Sequence, residues 1–236
     1  IRNCAKEPEI SDLQNFLTAM GARVAGAGSS MITVEGVKRL HGVTYTPIPD
    51  RIIAGTYMIA TAMCGGNVTL DGVVPEHLSS LIAKMSKTAC KVICKNDKIS
   101  VRSKGRLKSL ERIDTMYYPG FPTDLQTQIM ALQTISRGTS VIAENIFETR
   151  FKTVPQLIKM GADITVRDRT AVVRGVPGLH GAEVHATDLR GGASLVLAGL
   201  AAEGRTEVKD IYHIDRGYED MAPVLSGLGA NITRVV

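Results

Sequence analysis

The stretch Ser-Leu-Val-Leu-Ala-Gly-Leu-Ala-Ala, residues 194–202, is apolar on nearly every side of the helix that it predicts. A helix without a polar face is stable only where other parts of the protein surround it. Residues 52–63 have the same character. The two stretches therefore predict helices in the centre of an α/β fold, with sheets outside them.

Around these stretches the sequence repeats a unit of about 70 residues. In each unit an aspartate opens a helix that ends at a glycine and leads into a strand. These aspartates are Asp50, Asp124 and Asp188. A second helix, a second strand and a hairpin return such as residues 170–174 complete the unit. The repeat predicts three copies of one helix-and-sheet arrangement.

The two ends of the chain depart from this repeat. Residues 1–46 predict only the second half of a unit: a helix at 8–20, a strand at 23–25 and a return strand at 31–35. Residues 231–236 predict a strand whose hairpin partner does not follow. We interpret the chain as the later part of a longer protein. Residues 1–48 would end an N-terminal domain, and residues 49–236 would form a second domain of three repeated units.

Composition favours a cytoplasmic protein with small anionic partners. The sequence has no signal peptide at its start and no run of about 18 apolar residues. A net charge of +5 favours either a nucleic acid or a phosphorylated small molecule. The basic stretch at 84–108 lacks the interleaved aromatic residues of a stacking platform, so we expect no nucleic-acid partner.

Cysteine and histidine spacing indicates neither a metal site nor a cofactor. The five histidines do not cluster at ligand spacing. The four cysteines show neither metal-site spacing nor the density of a small secreted scaffold, which predicts free thiols in a reducing compartment. They are Cys4, Cys64, Cys90 and Cys94.

The turn Pro-Gly-Phe-Pro-Thr-Asp-Leu-Gln, residues 119–126, carries one carboxylate to the start of a predicted helix. Its two prolines restrict φ, so the turn should have a defined shape. Thr123 or Asp124 could cap the following helix. For Asp124 we hold this reading and a functional one as equally supported.

Three strand-to-helix junctions carry polar residues, at 144–151, 187–192 and 212–219. Arg190 falls in a first helical turn, where the helix dipole disfavours a cation, so it needs either Asp188 or an anionic ligand. Arg150 and Arg216 stand next to glutamates and could each form a surface ion pair. Because the junctions occupy equivalent ends of repeated units, we expect them to bring Asp124, Arg150, Arg190 and Arg216 together.

Four motifs resemble signature stretches of the UDP-N-acetylglucosamine 1-carboxyvinyltransferase family, bacterial enolpyruvyl transferases that begin peptidoglycan synthesis. They are Pro-Gly-Phe-Pro-Thr-Asp-Leu-Gln (119–126), Ile-Phe-Glu-Thr-Arg-Phe (146–151), Ala-Thr-Asp-Leu-Arg-Gly-Gly-Ala-Ser-Leu-Val-Leu-Ala-Gly-Leu (186–200) and Tyr-His-Ile-Asp-Arg-Gly-Tyr-Glu (212–219). The resemblance extends over essentially the whole chain.

The resemblance implies two inside-out α/β barrels, each of three repeated units with helices inside and sheets outside. It also implies transfer of the enolpyruvyl group of phosphoenolpyruvate to the 3-hydroxyl of UDP-N-acetylglucosamine, with release of phosphate. Asp124 would be the general base at that hydroxyl, and Arg216 would contact phosphoenolpyruvate. Ile146, through its backbone, and Phe147 would line the nucleotide-sugar site. Electrostatic support would come from Arg150, Asp188 and Arg190.

The resemblance leaves part of the family's machinery outside these residues. The family's N-terminal Lys-Asn pair and its mobile loop with a reactive cysteine have no counterpart here. We therefore expect the missing half to act in cis or in trans, and activity of these residues alone is doubtful. Two alternatives remain open: a non-catalytic fragment that binds an anionic ligand, and a related transferase acting on shikimate phosphate.

Overall fold

The computed structural model describes residues 1–235. Its helices are α1 (Pro8–Ala19), α2 (Arg51–Cys64), α3 (Ser79–Met85), α4 (Gln126–Thr134), α5 (Val154–Lys159), α6 (Leu189–Ala201), α7 (Tyr212–Asp215) and α8 (Met221–Gly227). Its strands are β1 (Arg23–Ala25), β2 (Thr33–Glu35), β3 (Gly66–Leu70), β4 (Lys91–Lys95), β5 (Lys98–Ser103), β6 (Arg112–Asp114), β7 (Thr139–Ala143), β8 (Asp163–Arg167), β9 (Thr170–Arg174), β10 (Leu179–His180), β11 (Glu183–His185), β12 (Ala202–Glu203) and β13 (Glu207–Lys209).

Helices α2, α4 and α6 form the centre of the molecule and contact one another pairwise. The apolar stretches that predicted α2 and α6 are largely buried there. Helix α4 is buried along its whole length, although more than half of its residues are polar. The predicted arrangement of inner helices and outer sheets is confirmed, with α4 as the third inner helix.

The aspartates before the inner helices have two different roles. Asp50 caps α2 by accepting from the backbone N–H groups of Ile52 and Ile53, at 2.7 and 3.0 Å. Asp188 caps α6 in the same way. A short 3₁₀ turn, Thr123–Leu125, precedes α4, and no side chain caps either element. The capping interpretation of Asp124 was therefore wrong, because the extra turn carries its carboxylate away from the free N–H groups of α4.

Two sheets confirm the sequence repeat. The first has the strand order β3-β5-β4 and is antiparallel throughout. The second has the order β6-β7-β9-β8, in which β6 and β7 are parallel. In both sheets the strand after the inner helix pairs with the hairpin return strand. In the third unit β12 and β13 instead have parallel partners, β10 and β11.

The strand predicted at residues 231–236 is not formed: residues 231–235 are neither helix nor strand, and residue 236 lies outside the described residues. Gly229, just after α8, has a φ of +97°, which is typical of a glycine that ends a helix. A strand needs a neighbour to accept and donate its backbone hydrogen bonds. Within residues 1–235 no segment takes the place that β9 has beside β8.

Residues 1–48 have little core of their own. They contain α1 and the antiparallel pair β1–β2, whose connection begins at Gly26 with a φ of +94°. Pro8 and Ile32 are the buried residues of this segment, while Leu13 and Val34 are exposed. Residues 36–50 form neither helix nor strand. Across residues 1–235 no helix is both long and apolar enough to cross a bilayer.

Candidate functional site

The carboxylate of Asp124 binds two arginines from distant parts of the chain. Its Oδ1 accepts from Nη2 of Arg150 at 2.6 Å, and its Oδ2 accepts from Nη2 of Arg190 at 2.9 Å. The three residues belong to the turn before α4, to the 3₁₀ turn Arg150–Thr153 and to the first turn of α6. The structure therefore brings together three of the four residues expected to cluster.

Arg150 is held in place by contacts on several sides. Its side chain is 7% exposed, and its Nε donates to Oγ1 of Thr123 at 3.2 Å. The guanidinium carbon lies 4.4 Å from the ring centroid of Phe147, within cation–π distance. Arg150 was considered for an ion pair with a neighbouring glutamate. Its partner is Asp124 instead, because the guanidinium points into the molecule.

Arg190 finds its anion in Asp124 and not in Asp188. The Oδ1 of Asp188 is used by the backbone N–H groups of Arg190 and Gly191, at 2.9 Å each. Burial alone would lower the pKa of Arg190, yet the charge of Asp124 and the hydroxyl of Tyr218 raise that pKa above its ordinary value. Arg190 therefore stays a cation at the less favourable end of its helix.

A buried tyrosine network lies behind Arg190. The Tyr218 hydroxyl lies 2.8 Å from Oγ1 of Thr56, and Nε2 of Gln128 donates to that Oγ1 at 3.2 Å. These contacts connect α2, α4 and the segment after α7. The sequence analysis quoted Tyr218 within a motif but missed this role, since nothing local in the sequence indicates a partner 162 residues away.

Ile146 and Phe147 lie beside the charged cluster, just after β7. Both backbone N–H groups donate to Oε1 of Glu144, at 2.9 Å each. The Phe147 ring contacts the Arg150 guanidinium while much of its surface remains exposed. Glu144 was not singled out from the sequence, although it stands in one of the polar junctions.

Arg216 does not join Asp124. It ends the short helix α7 and is exposed. Its neighbour Asp215 instead accepts from Arg234 at 2.9 and 2.7 Å. Among the contacts of residues 1–235, the Arg216 side chain forms neither a hydrogen bond nor an ion pair, so the surface pair with a glutamate is not formed. Its contact with an anionic ligand stays a prediction.

The arrangement suits a ligand that offers a hydroxyl near negative charge. An ionised carboxylate has about four lone-pair sites, and the arginines occupy two at Asp124. Its side chain is 37% exposed, so a ligand hydroxyl can reach the others. The two cations beside one anion leave a positive site. Over residues 1–235 no group of three or more His, Cys, Asp or Glu side chains could hold a metal ion.

Solved structures that superpose on this chain include enolpyruvyl transferases. The enolpyruvyl transferase NikO from Streptomyces tendae superposes with a TM-score of 0.87 at 28% identity, over 98% of this chain and 55% of that protein. The EPSP synthase from Acinetobacter baumannii shares the fold, with a TM-score of 0.68 at 19% identity over 94% of this chain and 55% of that protein. The profile of the family described as EPSP synthase (3-phosphoshikimate 1-carboxyvinyltransferase) matches residues 1–225. The chain belongs to this enolpyruvyl transferase family.

Curated relatives show which enzymes of the family this chain is similar to. A UDP-N-acetylglucosamine 1-carboxyvinyltransferase 2 from Caldanaerobacter subterraneus subsp. tengcongensis is 53% identical over 236 residues, which is 100% of this chain and 57% of the relative. UDP-N-acetylglucosamine 1-carboxyvinyltransferase from Myxococcus xanthus is 52% identical over 99% of this chain and 56% of the relative. The chain thus spans a little over half the length of the curated relatives that it matches.

Proposed function

We propose that this chain is part of a transferase that moves the enolpyruvyl group of phosphoenolpyruvate to the 3-hydroxyl of UDP-N-acetylglucosamine, releasing phosphate. This would be the first committed step of peptidoglycan synthesis. The names of the relatives that are 52–53% identical support the choice of sugar nucleotide. The observation that carries the proposal is the partly exposed Asp124 carboxylate between Arg150 and Arg190.

We assign Asp124 as the general base that accepts the proton of the acceptor hydroxyl. As the sugar oxygen bonds to the central carbon of phosphoenolpyruvate, its proton passes to the carboxylate and the double bond takes up a proton from another donor. Loss of phosphate with a proton from the methyl group then re-forms the carbon–carbon double bond and gives the enol ether. Arg150 and Arg190 would hold the carboxylate in the geometry that proton transfer requires.

The other residues have supporting places in this proposal. Arg216, exposed and without a partner in the described chain, would bind the phosphate or carboxylate of phosphoenolpyruvate. Ile146, through its backbone, and Phe147 would line the nucleotide-sugar site. Asp188 would act indirectly, because its carboxylate caps α6 and orients the turn that carries Arg190.

We further propose that residues 1–48 belong to one domain and residues 49–236 to another, and that a second half of the enzyme completes the site. The share of the relatives that the chain covers, 56–57%, supports a completing half. The sparse core of residues 1–48 supports the division into two domains. The completing half could act in cis or in trans.

The experiment measures both sugar-nucleotide binding and phosphate release by the chain joined to the rest of the enzyme. Asp124→Asn keeps the size of the side chain and removes its capacity as a base. We expect phosphate release to fall by about 10²- to 10⁴-fold, while the Kd for UDP-N-acetylglucosamine changes little. Turnover at the wild-type rate in Asp124→Asn would exclude Asp124 as the base.

A second acceptor deserves the same assay, because the matching family is described by its action on 3-phosphoshikimate. Shikimate 3-phosphate would replace the nucleotide sugar, with all other components unchanged. Phosphate release with UDP-N-acetylglucosamine alone supports the first proposal. Release with shikimate 3-phosphate alone would instead support the alternative, a related transferase that acts on shikimate phosphate.

A further inference from the structure

Glu144 is a buried carboxylate that the proposed chemistry does not use. It directly follows β7, and 1% of its surface is exposed. Burying a carboxylate this completely is unfavourable unless hydrogen bonds replace its water. Glu144 accepts four hydrogen bonds from neutral donors, which belong to two separate segments. The carboxylate therefore joins these two segments.

The first oxygen of Glu144 organises the segment that follows it. Its Oε1 accepts from the backbone N–H groups of Ile146 and Phe147, at 2.9 Å each. It also accepts from Oγ1 of Thr115 at 2.8 Å. The two amides thus turn back toward the end of β7, which fixes the backbone on which Phe147 and Arg150 stand.

The second oxygen of Glu144 binds Thr123, the residue directly before Asp124. Oε2 of Glu144 accepts from Oγ1 of Thr123 at 3.0 Å. The same Thr123 oxygen accepts from Nε of Arg150 at 3.2 Å. Since another nitrogen of Arg150 binds Asp124, a continuous chain of hydrogen bonds leads from Glu144 to the Asp124 carboxylate.

Thr115 and Thr123 are the two ends of a turn at residues 115–123, which directly precedes Asp124. Between them, the backbone N–H of Met116 donates to the carbonyl of Phe121 at 2.9 Å, which closes the turn. Glu144 therefore holds both ends of one turn with one oxygen each, while it also holds the start of a second segment. Direct contacts between these two segments also run through Thr115, whose Oγ1 accepts from the backbone N–H of Asn145 at 2.8 Å.

We propose that Glu144 is a positioning residue, whose carboxylate clamps the turn at 115–123 to the segment at 146–150. It would set the direction of the Asp124–Arg150 pair and the position of the Ile146 and Phe147 backbone together. The clamp itself is independent of the reaction. Its effect on UDP-N-acetylglucosamine rests on the proposed function.

Two substitutions distinguish the contributions of the two carboxylate oxygens of Glu144. Glu144→Gln keeps one oxygen for the amides of Ile146 and Phe147 and presents an NH₂ group to Thr123, which reverses that hydrogen bond. Glu144→Ala removes both. Glu148→Gln is the matched control, because Glu148 is an exposed glutamate of the same segment.

The first measurement is hydrogen exchange by NMR on the purified chain, at the amides of Ile146 and Phe147 and at Nε–H of Arg150. In Glu144→Ala we expect all three to exchange at least about tenfold faster. In Glu144→Gln we expect faster exchange at Arg150 with the two amides retained, and Glu148→Gln should match the wild type. The difference between Arg150 and the two amides in Glu144→Gln would remain measurable if the alanine variant did not fold. Unchanged exchange at Arg150 in Glu144→Gln would overturn the clamp.

The second measurement is calorimetric titration with UDP-N-acetylglucosamine of the same variants, made in the chain joined to the rest of the enzyme. We expect the Kd to rise about tenfold or more in Glu144→Ala and less in Glu144→Gln, with Glu148→Gln binding as tightly as the wild type. Equal affinities in wild type and variants would overturn the effect on the ligand. A wild-type enzyme, joined from both halves, that does not bind the nucleotide sugar would count against the proposed function, and the exchange data would still decide the clamp.

Discussion

Arg190 and Asp124 meet across 66 residues of sequence, with Nη2 of the arginine 2.9 Å from Oδ2 of the aspartate. Arg190 stands in the first turn of α6, where the helix dipole opposes a cation. The aspartate compensates for this and also binds Arg150. Because Asp124 serves two cations, it connects the second and third repeated units at the ends of their inner helices.

Replacing Arg190 should cost stability as well as function. Arg190→Gln removes the ion pair and leaves Asp124 with a single arginine. We expect the free energy of unfolding to fall by about 1–2 kcal/mol, less than for a fully buried pair because Asp124 is partly exposed. The measurement is urea unfolding followed by circular dichroism.

Arg216→Gln is the matched control for this change. Arg216 is exposed, so its replacement should alter the free energy of unfolding by less than about 0.5 kcal/mol. If Arg216 binds phosphoenolpyruvate as proposed, the variant should instead raise the KM for that substrate in the complete enzyme. Equal losses of stability in the two variants would show that the ion pair to Asp124 contributes nothing.

The elements that the sequence predicted best are those whose own composition determines their place. Residues 52–63 and 194–202 are apolar on all sides, which is sufficient to predict burial in any fold. The repeated aspartates correctly predicted the start of α2 and of α6. At Asp124 the same residue type binds arginines instead, because the intervening 3₁₀ turn changes where the carboxylate lies.

Features that depend on distant partners could not be predicted. Helix α4 contains buried glutamines, although its polar composition suggests an exposed helix. Oε1 of Gln133, for example, accepts from the backbone N–H of Leu110 and from Oγ of Ser140, at 2.8 Å each. Polar residues can be buried when such partners exist. Both partners lie outside α4, so no periodicity within α4 indicates them. The repeat did predict that Asp124 and Arg190 lie close together, but it left Asp188 or a ligand as the anion of Arg190, because Asp188 is nearer in the sequence.

Tyr218 provides a test of the buried polar network. Tyr218→Phe removes the hydroxyl that lies 2.8 Å from Oγ1 of Thr56 and leaves the ring in place. We expect the free energy of unfolding to fall by about 1–2 kcal/mol, because a buried hydrogen bond is lost without a replacement by water. Chemical denaturation of the purified chain measures this change.

Tyr212→Phe makes the identical chemical change at a tyrosine that is exposed and packs against His213. Its effect should stay within about 0.5 kcal/mol. If the two variants lost equal stability, the hydroxyl of Tyr218 would have no special role. A difference confined to Tyr218→Phe would support a network that fixes Arg190 from behind.

Cys90 should be an unreactive thiol. It is buried before β4, and burial raises its pKa to about 11. At pH 8 the reactive thiolate is therefore scarce, and the reagent has poor access to the sulfur. With Ellman's reagent at pH 8 we expect Cys94, which is exposed, to react first and Cys90 to react only on unfolding. Cys94→Ala should remove a fast-reacting equivalent, whereas Cys90→Ala should remove none.

The raised pKa of Cys90 also predicts the direction of a pH effect on stability. Below about pH 8.5, the value for an unfolded cysteine, both states hold the neutral thiol and its stabilising contribution is complete. Between that pH and about 11, the unfolded chain ionises while the folded chain does not, so the contribution is lost. The free energy of unfolding should thus fall more steeply in wild type than in Cys90→Ala as pH rises from 8 to 11. Parallel curves for the two proteins would mean that burial does not perturb this thiol.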